Sequence, residues 1–513
     1  MKKYDVVVVG AGNAGLAACL ELALAGKKTL LIEQHNIPGG CATSFVRGRF
    51  EFDPSLHELC GVGSKENPGD VRKMMEHFGV ELDWKQVPDC FRVVSKYSDG
   101  TDMDVTMPSG RDEFIAKMIE YVPKAKKSME TLFELFDEIK AGLAYLTETQ
   151  GNPDTKVLMN KFGNLLRIGA FPCMDVFKAI KMPQKAIDIM STYWSYLGVN
   201  MKHLSFLHYA SMVSSYIENS AYIPSHTSHE ISVAMTERFR ELGGDIWFNC
   251  RAEEFLFDDD GKCCGVKTTL GTVDCEFVLA NINPDIIYGK MMPSELVPER
   301  EKKLVKARNR NFGARMFTVH LGLNATAEEI GIKDYSIFMS GTSDSVKEDA
   351  SLEKLSTNNY AIFLCYNLVS PEFSPEGTCV VSFTTMCGRA DWEGVSQDNY
   401  FKLKNTVAKK LITMLKEKAG IDISPYIEEI AVSTPLTFAR YLNAPEGSVY
   451  GYKTTDWDSL MPRMMMVSGD YPIKGLIPIG TSGPRGDGYS SAYYCGQSMA
   501  LTALAQMNKG DEE

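Results

Sequence analysis

The chain has 513 residues, 44% hydrophobic and 23% charged, which is too long for one ordinary core and suits two or three domains. Its formal net charge of -12 would repel polyphosphate, so no nucleic-acid partner is expected. No uninterrupted apolar run reaches the roughly 18–20 residues of a bilayer span, and the strand-like run Val6 to Val9 starts too early for a secretory leader to precede it. The expected compartment is therefore the cytoplasm, with peripheral contact on the inner face of a membrane left open. Thirteen cysteines, scattered without a Cys-x-x-Cys motif, read as buried free thiols.

In chain order, the opening predicts a strand from Tyr4 to Val9, a turn Gly10-Ala11-Gly12-Asn13-Ala14-Gly15, a helix to about Ala25 and a strand from Thr29 to Glu33. Leu16, Leu20, Ala23 and Leu24 recur at helical spacing, and Gly26 suits a left-handed helix end. Gly10 permits the tight turn, Gly12 lets the backbone approach a pyrophosphate, and Gly15 lets helix and strand pack closely. The free amides and dipole at the helix start favour an anion. Glu33 stands where a carboxylate accepts both ribose hydroxyls and repels a 2′-phosphate, which disfavours NADP and leaves FAD or NAD. A glycine turn alone is a weak signal, but strand, turn, helix and acid agree here.

A second glycine turn follows. Glu33-Gln34-His35, Gly39-Gly40-Cys41, Thr43-Ser44-Phe45, and Phe52-Asp53 with His57 four residues beyond resemble the phytoene desaturase, carotenoid isomerase and retinol saturase group of flavoproteins, the retinol saturase branch most closely. The resemblance implies an α/β fold: a Rossmann-like FAD-binding domain of the glutathione reductase and amine oxidase type, with a discontinuous α+β substrate domain. It implies that FAD is held by Gly10, Ala11, Gly12, Asn13, Ala14, Gly15, Glu33 and Gln34, with Gly39, Gly40, Cys41, Thr43 and Ser44 lining it. Cys41 stands where amine oxidases of the same superfamily commonly place Arg, which counts against an amine oxidase.

Further along, Lys156 to Ile223 is rich in Met, Leu, Ile and aromatics, including Met159, Leu166, Phe171, Leu197, Met212 and Tyr216. Each residue singly reads as core; together they hint at an adaptable apolar tunnel or membrane-surface docking. Glu230 to Asn283 reads as a helix followed by short strands joined at Asp259-Asp260-Gly261 and Leu270-Gly271. By the resemblance this is the returning part of an FAD domain, with Ala252 at the adenine. Thr434-Pro435-Leu436-Thr437 and Arg440-Tyr441-Leu442 match the family's late signature. Gly475 to Gly480 gives a strand ending in glycine, and Gly483 to Gly488 leads into a helix whose start, with Tyr489 and Ser490, suits the flavin pyrimidine. At Gly480-Thr481 many relatives carry Gly-Asp or Gly-Glu to hold the ribityl chain, so a hydroxyl of Thr481 or Ser482 would substitute. The expected division is 1–80, 226–300 and 432–513 for the FAD-binding domain and 81–225 and 301–431 for the substrate domain.

There is no second Gly-x-Gly-x-x-Gly after a strand and no Cys-x₄-Cys soon after the first glycine loop, so electrons come from an external donor or acceptor, or cycle within the reaction. The resembling family desaturates, saturates or isomerises carbon–carbon double bonds in long isoprenoids. Hydride addition to one alkene carbon requires a proton for its neighbour. The candidate proton carriers are His57, Tyr222, His226 and His229, with His57 placed best by the resemblance and its rival role an orienting one. Ser225-His226-Thr227 replaces the glycines usual after Pro224, is expected to fill space near the flavin, and favours a shorter or more polar substrate than a long carotenoid. No metal site is expected, because His226-x-x-His229 lacks further ligands, and no Gly-x-Ser-x-Gly elbow points to a hydrolase. The expected activity is FAD-dependent reduction or isomerisation of a C=C bond in an apolar isoprenoid, retinoid-like or fatty-acyl substrate. The alternatives are a desaturase or oxidase passing electrons to oxygen or quinone, and a non-catalytic FAD-containing lipid-binding protein; the sequence leaves the oligomeric state unset.

Overall fold

Val6, Val7 and Val8 are all fully buried, so the first strand is covered on both faces, as a central parallel strand must be. In a computed structural model of the chain, which describes residues 3–149, 153–169, 171–308, 311–454, 458–459, 463, 473–480 and 488–510, this strand, β1 (Lys3–Val9), runs parallel to β2 (Thr29–Ile32) on one side and to Gly271–Ala280 on the other. Asp245–Trp247 extends the sheet beyond β2, and Leu476–Pro478 also pairs with Gly271–Ala280. Ala252–Phe257, Cys263–Thr268 and Gly271–Ala280 form an antiparallel meander whose tight connections fall at the two glycine turns expected there. The helix α1 (Asn13–Leu24) is buried nearly all round. Such a helix needs cover on every side, which comes from the sheet, from His229–Glu241 and from the closing helix Tyr489–Gly510.

A second, largely antiparallel sheet gathers Ile427–Ser433, Arg315–Leu323, Cys379–Cys387, Ala361–Cys365, Ser336–Met339, Asp89–Lys96 and Asp102–Pro108 in that order. One of its cores is aliphatic and aromatic, around Phe317, Phe363 and Phe383. The other lies beneath the helices Arg111–Tyr121, Lys126–Glu148 and Phe206–Asn219. There the rings of Phe136, Phe177, Phe206 and Tyr209 pack on one another with centroids 5.6 to 6.5 Å apart. Most of the Met- and aromatic-rich segment is spent on this packing rather than on a tunnel, and Met159, Leu166 and Phe171 are exposed. The chain is thus mixed α/β with a Rossmann-like unit, and two short strand pairs, Phe45–Arg47 with Phe50–Phe52 and Trp84–Gln86 with Tyr222–Pro224, stand apart from the two large sheets. Among the described residues no helix is long and apolar enough to cross a membrane, and no disulfide joins the cysteines.

Two buried histidines tie stability to pH. His208 and His320 are pushed down to about 4 and about 3, each chiefly by burial, with Arg463 adding to the first and His57 to the second. A histidine whose folded pKa lies below its unfolded value of about 6.5 contributes stability that is complete above that value and lost as pH falls towards the folded one. Thermal unfolding should therefore show a midpoint that drops between pH 6.5 and 4, and a His320→Gln variant should drop less steeply. Parallel slopes for the two proteins would refute the contribution of His320.

Candidate functional site

The nucleotide end is built where β1 stops. Gly15 has no room for a side chain, since a Cβ there would stand 1.9 Å from the carbonyl oxygen of Gly10. The second glycine segment crosses the first: the Gly39 amide donates to the Ala11 carbonyl at 2.8 Å, and a Cβ on Gly40 would lie 3.4 Å from the Cα of Gly12. Gly39 adopts φ +120°, a backbone that side chains resist, and a Cβ there would meet the Ala42 carbonyl at 1.9 Å. At the end of β2 the buried Glu33 carboxylate accepts the Ala11 amide at 2.7 Å and the His35 amide at 2.9 Å, one on each oxygen. Each oxygen keeps a second lone pair, enough for two ribose hydroxyls. Asn281, just after Gly271–Ala280, ties that strand to the first turn by donating to the Gly10 carbonyl at 3.4 Å.

A cavity of ≈ 1770 Å³ begins at this cradle and continues to the second sheet. Its walls include Gly10, Gly12, Asn13, Ala14, Glu33, Gln34, Gly39, Gly40, Cys41, Ala252, Gly480, Gly488, Tyr489 and Ser490, so fourteen of the residues singled out for FAD share one space. Ala11 and Gly15 support the turn from behind, and Thr43 and Ser44 do not line the cavity. Thr481 lies outside the described residues. The cradle fits a dinucleotide: its backbone surface is bared by glycines, Gly12 starts α1 without a side-chain cap, and the buried Asn13 Oδ1 has no partner among the described residues.

Beyond the cradle, the chain is turned by Asp53. Its buried carboxyl accepts the amides of Ser55 at 2.9 Å, Leu56 at 2.8 Å and Ser228 at 2.6 Å. Burial raises its pKa while these hydrogen bonds oppose the rise. Ser55 Oγ then donates to the Cys41 carbonyl at 2.9 Å and meets the Tyr489 hydroxyl at 2.8 Å, and Ser490 Oγ donates to the Cys60 carbonyl at 3.0 Å. These bonds bind the second glycine segment to the start of the last helix.

The next two residues enter the cavity wall. His57 Nε2 lies 3.0 Å from Thr384 Oγ1, and its ring centroid is 5.6 Å from that of Tyr196. Burial pushes its pKa down to about 4, so the ring is neutral at neutral pH. Glu58 is buried, Oε1 accepts the Tyr196 hydroxyl at 2.6 Å, and its backbone carbonyl accepts the Tyr216 hydroxyl at 3.2 Å. Oε2 has no partner among the described residues, and burial pushes the carboxyl up to about 8. Leu197, Met212, Met316 and Tyr450 complete this part of the wall.

Of the expected proton carriers, His57 alone is at the cavity. Tyr222 donates to Gln86 Oε1 at 3.4 Å, His226 is exposed beside Ser225 and Glu230, and His229 begins its helix with Nδ1 buried; none of the three lines the cavity. Nor do Ser225 and Thr227 fill space there. Ser225 bonds to Glu230 and Ser370, and Thr227 Oγ1 to Glu51 at 3.1 Å, so the expected effect of this segment on substrate length has no support in the geometry. Sequence reasoning missed Glu58, Tyr196, Thr384 and Asn281. The one available signal was the adjacency of Glu58 to His57; the others come from segments with no motif. Among the described residues no cluster of three or more His, Cys, Asp or Glu could hold a metal.

Comparison with known proteins agrees with this geometry. Residues 8–78 match the family model of an NAD(P)-binding Rossmann-like domain. The chain is 25% identical over 481 residues to the all-trans-retinol 13,14-reductase of Rattus norvegicus, covering 88% of this chain and 77% of that protein. It is 24% identical over 534 residues to prolycopene isomerase 2, chloroplastic, of an Oncidium hybrid cultivar, covering 99% and 84%. The fold is similar to that of an oxidoreductase from Methanosarcina mazei, with a TM-score of 0.63, 14% identity and coverage of 98% and 100%. It is also similar to that of cyclohexylamine oxidase from Brevibacterium oxydans, with a TM-score of 0.61, 12% identity and coverage of 99% and 100%.

Replacing Glu33 by Gln should weaken FAD binding to the cofactor-stripped protein about 10- to 100-fold, the worth of losing charge from one or two hydrogen bonds. Fluorescence titration measures it, and an unchanged affinity would remove Glu33 from the ribose site.

Proposed function

We propose that the chain is an FAD-dependent oxidoreductase that reduces or isomerises a carbon–carbon double bond of an apolar isoprenoid, retinoid-like or fatty-acyl substrate, exchanging electrons with an external partner. The observation that carries this reading is the continuous cavity, which joins the dinucleotide cradle to an aromatic and methionine-lined chamber at His57 and Glu58. The names of the two relatives, a retinol reductase and a prolycopene isomerase, point to the same bond type in isoprenoids.

When bound, FAD supplies the capacity to give or take a hydride equivalent. The protein's own residues do the rest. Gly10, Gly12, Gly39 and Gly40 would bare backbone to the pyrophosphate, and Glu33 would hold the ribose. Cys41, Gly488, Tyr489 and Ser490 line the cavity and would border the ring system, with Ser55 fixing Cys41 to Tyr489. Tyr196, Tyr216, Met212 and Met316 give the substrate a largely apolar wall and exclude water from the reacting bond. Neutral His57, set by Thr384, orients rather than protonates. The domain division stated from the sequence belongs to the same proposal, since the cavity lies where the two sets of segments meet. Peripheral membrane contact is part of it too: exposed Met159, Leu166 and Phe171 stand among exposed Lys156, Lys161 and Arg167, a pairing suited to an anionic bilayer surface.

The test is anaerobic. The purified protein's flavin is reduced chemically, and its reoxidation is followed against retinoids, carotenoids, unsaturated fatty acids and enones. Reoxidation by one of them with a saturated product is the expected outcome for a reductase, and an isomerised product with the flavin still reduced is that for an isomerase. Absence of a flavin absorption band would overturn the proposal. Reoxidation by quinone but by no alkene would turn it to the desaturase direction.

A further inference from the structure

A general acid at neutral pH must still hold its acidic proton at neutral pH, and this criterion separates the two adjacent residues on the cavity wall. His57 does not meet it, because its imidazole is neutral there. Glu58 does. The residue lines the cavity and is 6% exposed; its carboxyl receives one hydrogen bond, from Tyr196, while Oε2 is buried with no partner among the described residues. The titratable groups that act on it or feel it are hydroxyls and thiols. Tyr193, Tyr196 and Tyr216 come from the helical layer, and Tyr335 and Tyr366 from the second-sheet side. Cys60 and Cys90 complete the set, and burial holds all seven in their uncharged forms. No cation among the described residues offsets the cost of a buried carboxylate, so the acid form prevails up to about pH 8.

We infer that Glu58, held in place by Tyr196, is the group that protonates the substrate alkene, an assignment that rests on the function proposed above. Saturation of the bond forms two C–H bonds at the expense of the C=C π bond. One carbon receives a hydride equivalent from reduced FAD, which an external two-electron donor replenishes. Its neighbour receives the proton that leaves the Glu58 carboxyl, and the resulting carboxylate takes a proton from water to complete the cycle. Tyr196 is a positioning residue: its hydroxyl fixes Oε1, and its ring lies 5.6 Å, centroid to centroid, from that of His57. Because that hydroxyl donates to the ionised form as well, it holds the Glu58 pKa lower than burial alone would.

The test uses the flavin-containing protein and has two independent readouts. Infrared difference spectra between pH 6 and 10 should show a protonated carboxyl band that fades as pH rises through about 8 and is missing from Glu58→Gln. Glu58→Gln should retain FAD and lose turnover by about 100-fold or more, the usual worth of a general acid. The Tyr196→Phe variant should move both the band's midpoint and the alkaline limb of turnover to higher pH. Wild-type turnover in Glu58→Gln would overturn the inference, as would a wild-type spectrum in which this carboxyl is already ionised at pH 6. If Glu58→Gln does not fold, the wild-type spectrum and the Tyr196→Phe shift decide. A wild-type protein that acts on no alkene would instead overturn the function itself, while the infrared result stands apart from it.

Discussion

One buried carboxyl organises the site. Asp53 leaves the strand Phe50–Phe52, whose phenylalanines are packed against the second sheet, and accepts amides from Ser55, Leu56 and Ser228. Ser228 immediately precedes the helix His229–Glu241, which packs on α1, so this carboxyl ties the nucleotide half to the loop that carries His57 and Glu58. Without those three bonds the loop would leave buried amides unpaired, each costing about 1–3 kcal/mol. The same loop is clamped from the far side, where Tyr366 donates to the Leu56 carbonyl and Tyr335 to that of His57. The wall of the cavity is therefore fixed by the segment before the helix His229–Glu241 on one side and by residues beside the second sheet on the other.

Close backbone packing does the corresponding work at the nucleotide end. Two glycine turns lie across each other there, joined by the bond from the Gly39 amide to the Ala11 carbonyl, and Asn281 holds the first of them. The surface they expose is peptide rather than side chain, which suits a phosphate group approaching a helix start. Further along the cavity the material changes to tyrosine and methionine, which tolerate an apolar ligand of irregular shape. The dry, aromatic end is also what moves the two adjacent titratable groups in opposite directions, the histidine down and the glutamate up. Burial penalises whichever form is charged, and the two residues are charged in opposite protonation states.

The sequence made much of the first half legible. Strand, turn, helix, strand and acid fall within 33 residues, and their spacing alone brings Gly12 and Glu33 to one edge of the sheet. The second glycine segment, Ala252, and the start of the last helix were reached through the family resemblance, and they share the same cavity. The segment after Pro224 was misleading because its polar groups are engaged away from the cavity: the His226 amide donates to Glu230, Thr227 to Glu51, and Ser370 to the Ser225 carbonyl. The Met-rich segment was ambiguous for another reason. Composition cannot distinguish a ring that packs on other rings from one that faces a cavity, and here most pack on other rings.

By itself, then, the sequence determined the dinucleotide cradle, because its geometry is local: glycines without Cβ atoms, a helix start and one carboxylate are set by short-range backbone conformation. The tertiary structure alone decided which residues meet the reacting end and in what charge state. Glu58 depends on Tyr196 and Tyr216, more than a hundred residues away in the chain, and His57 on Thr384, more than three hundred away. Protonation follows from desolvation, and desolvation follows only from the packing of distant segments around the group.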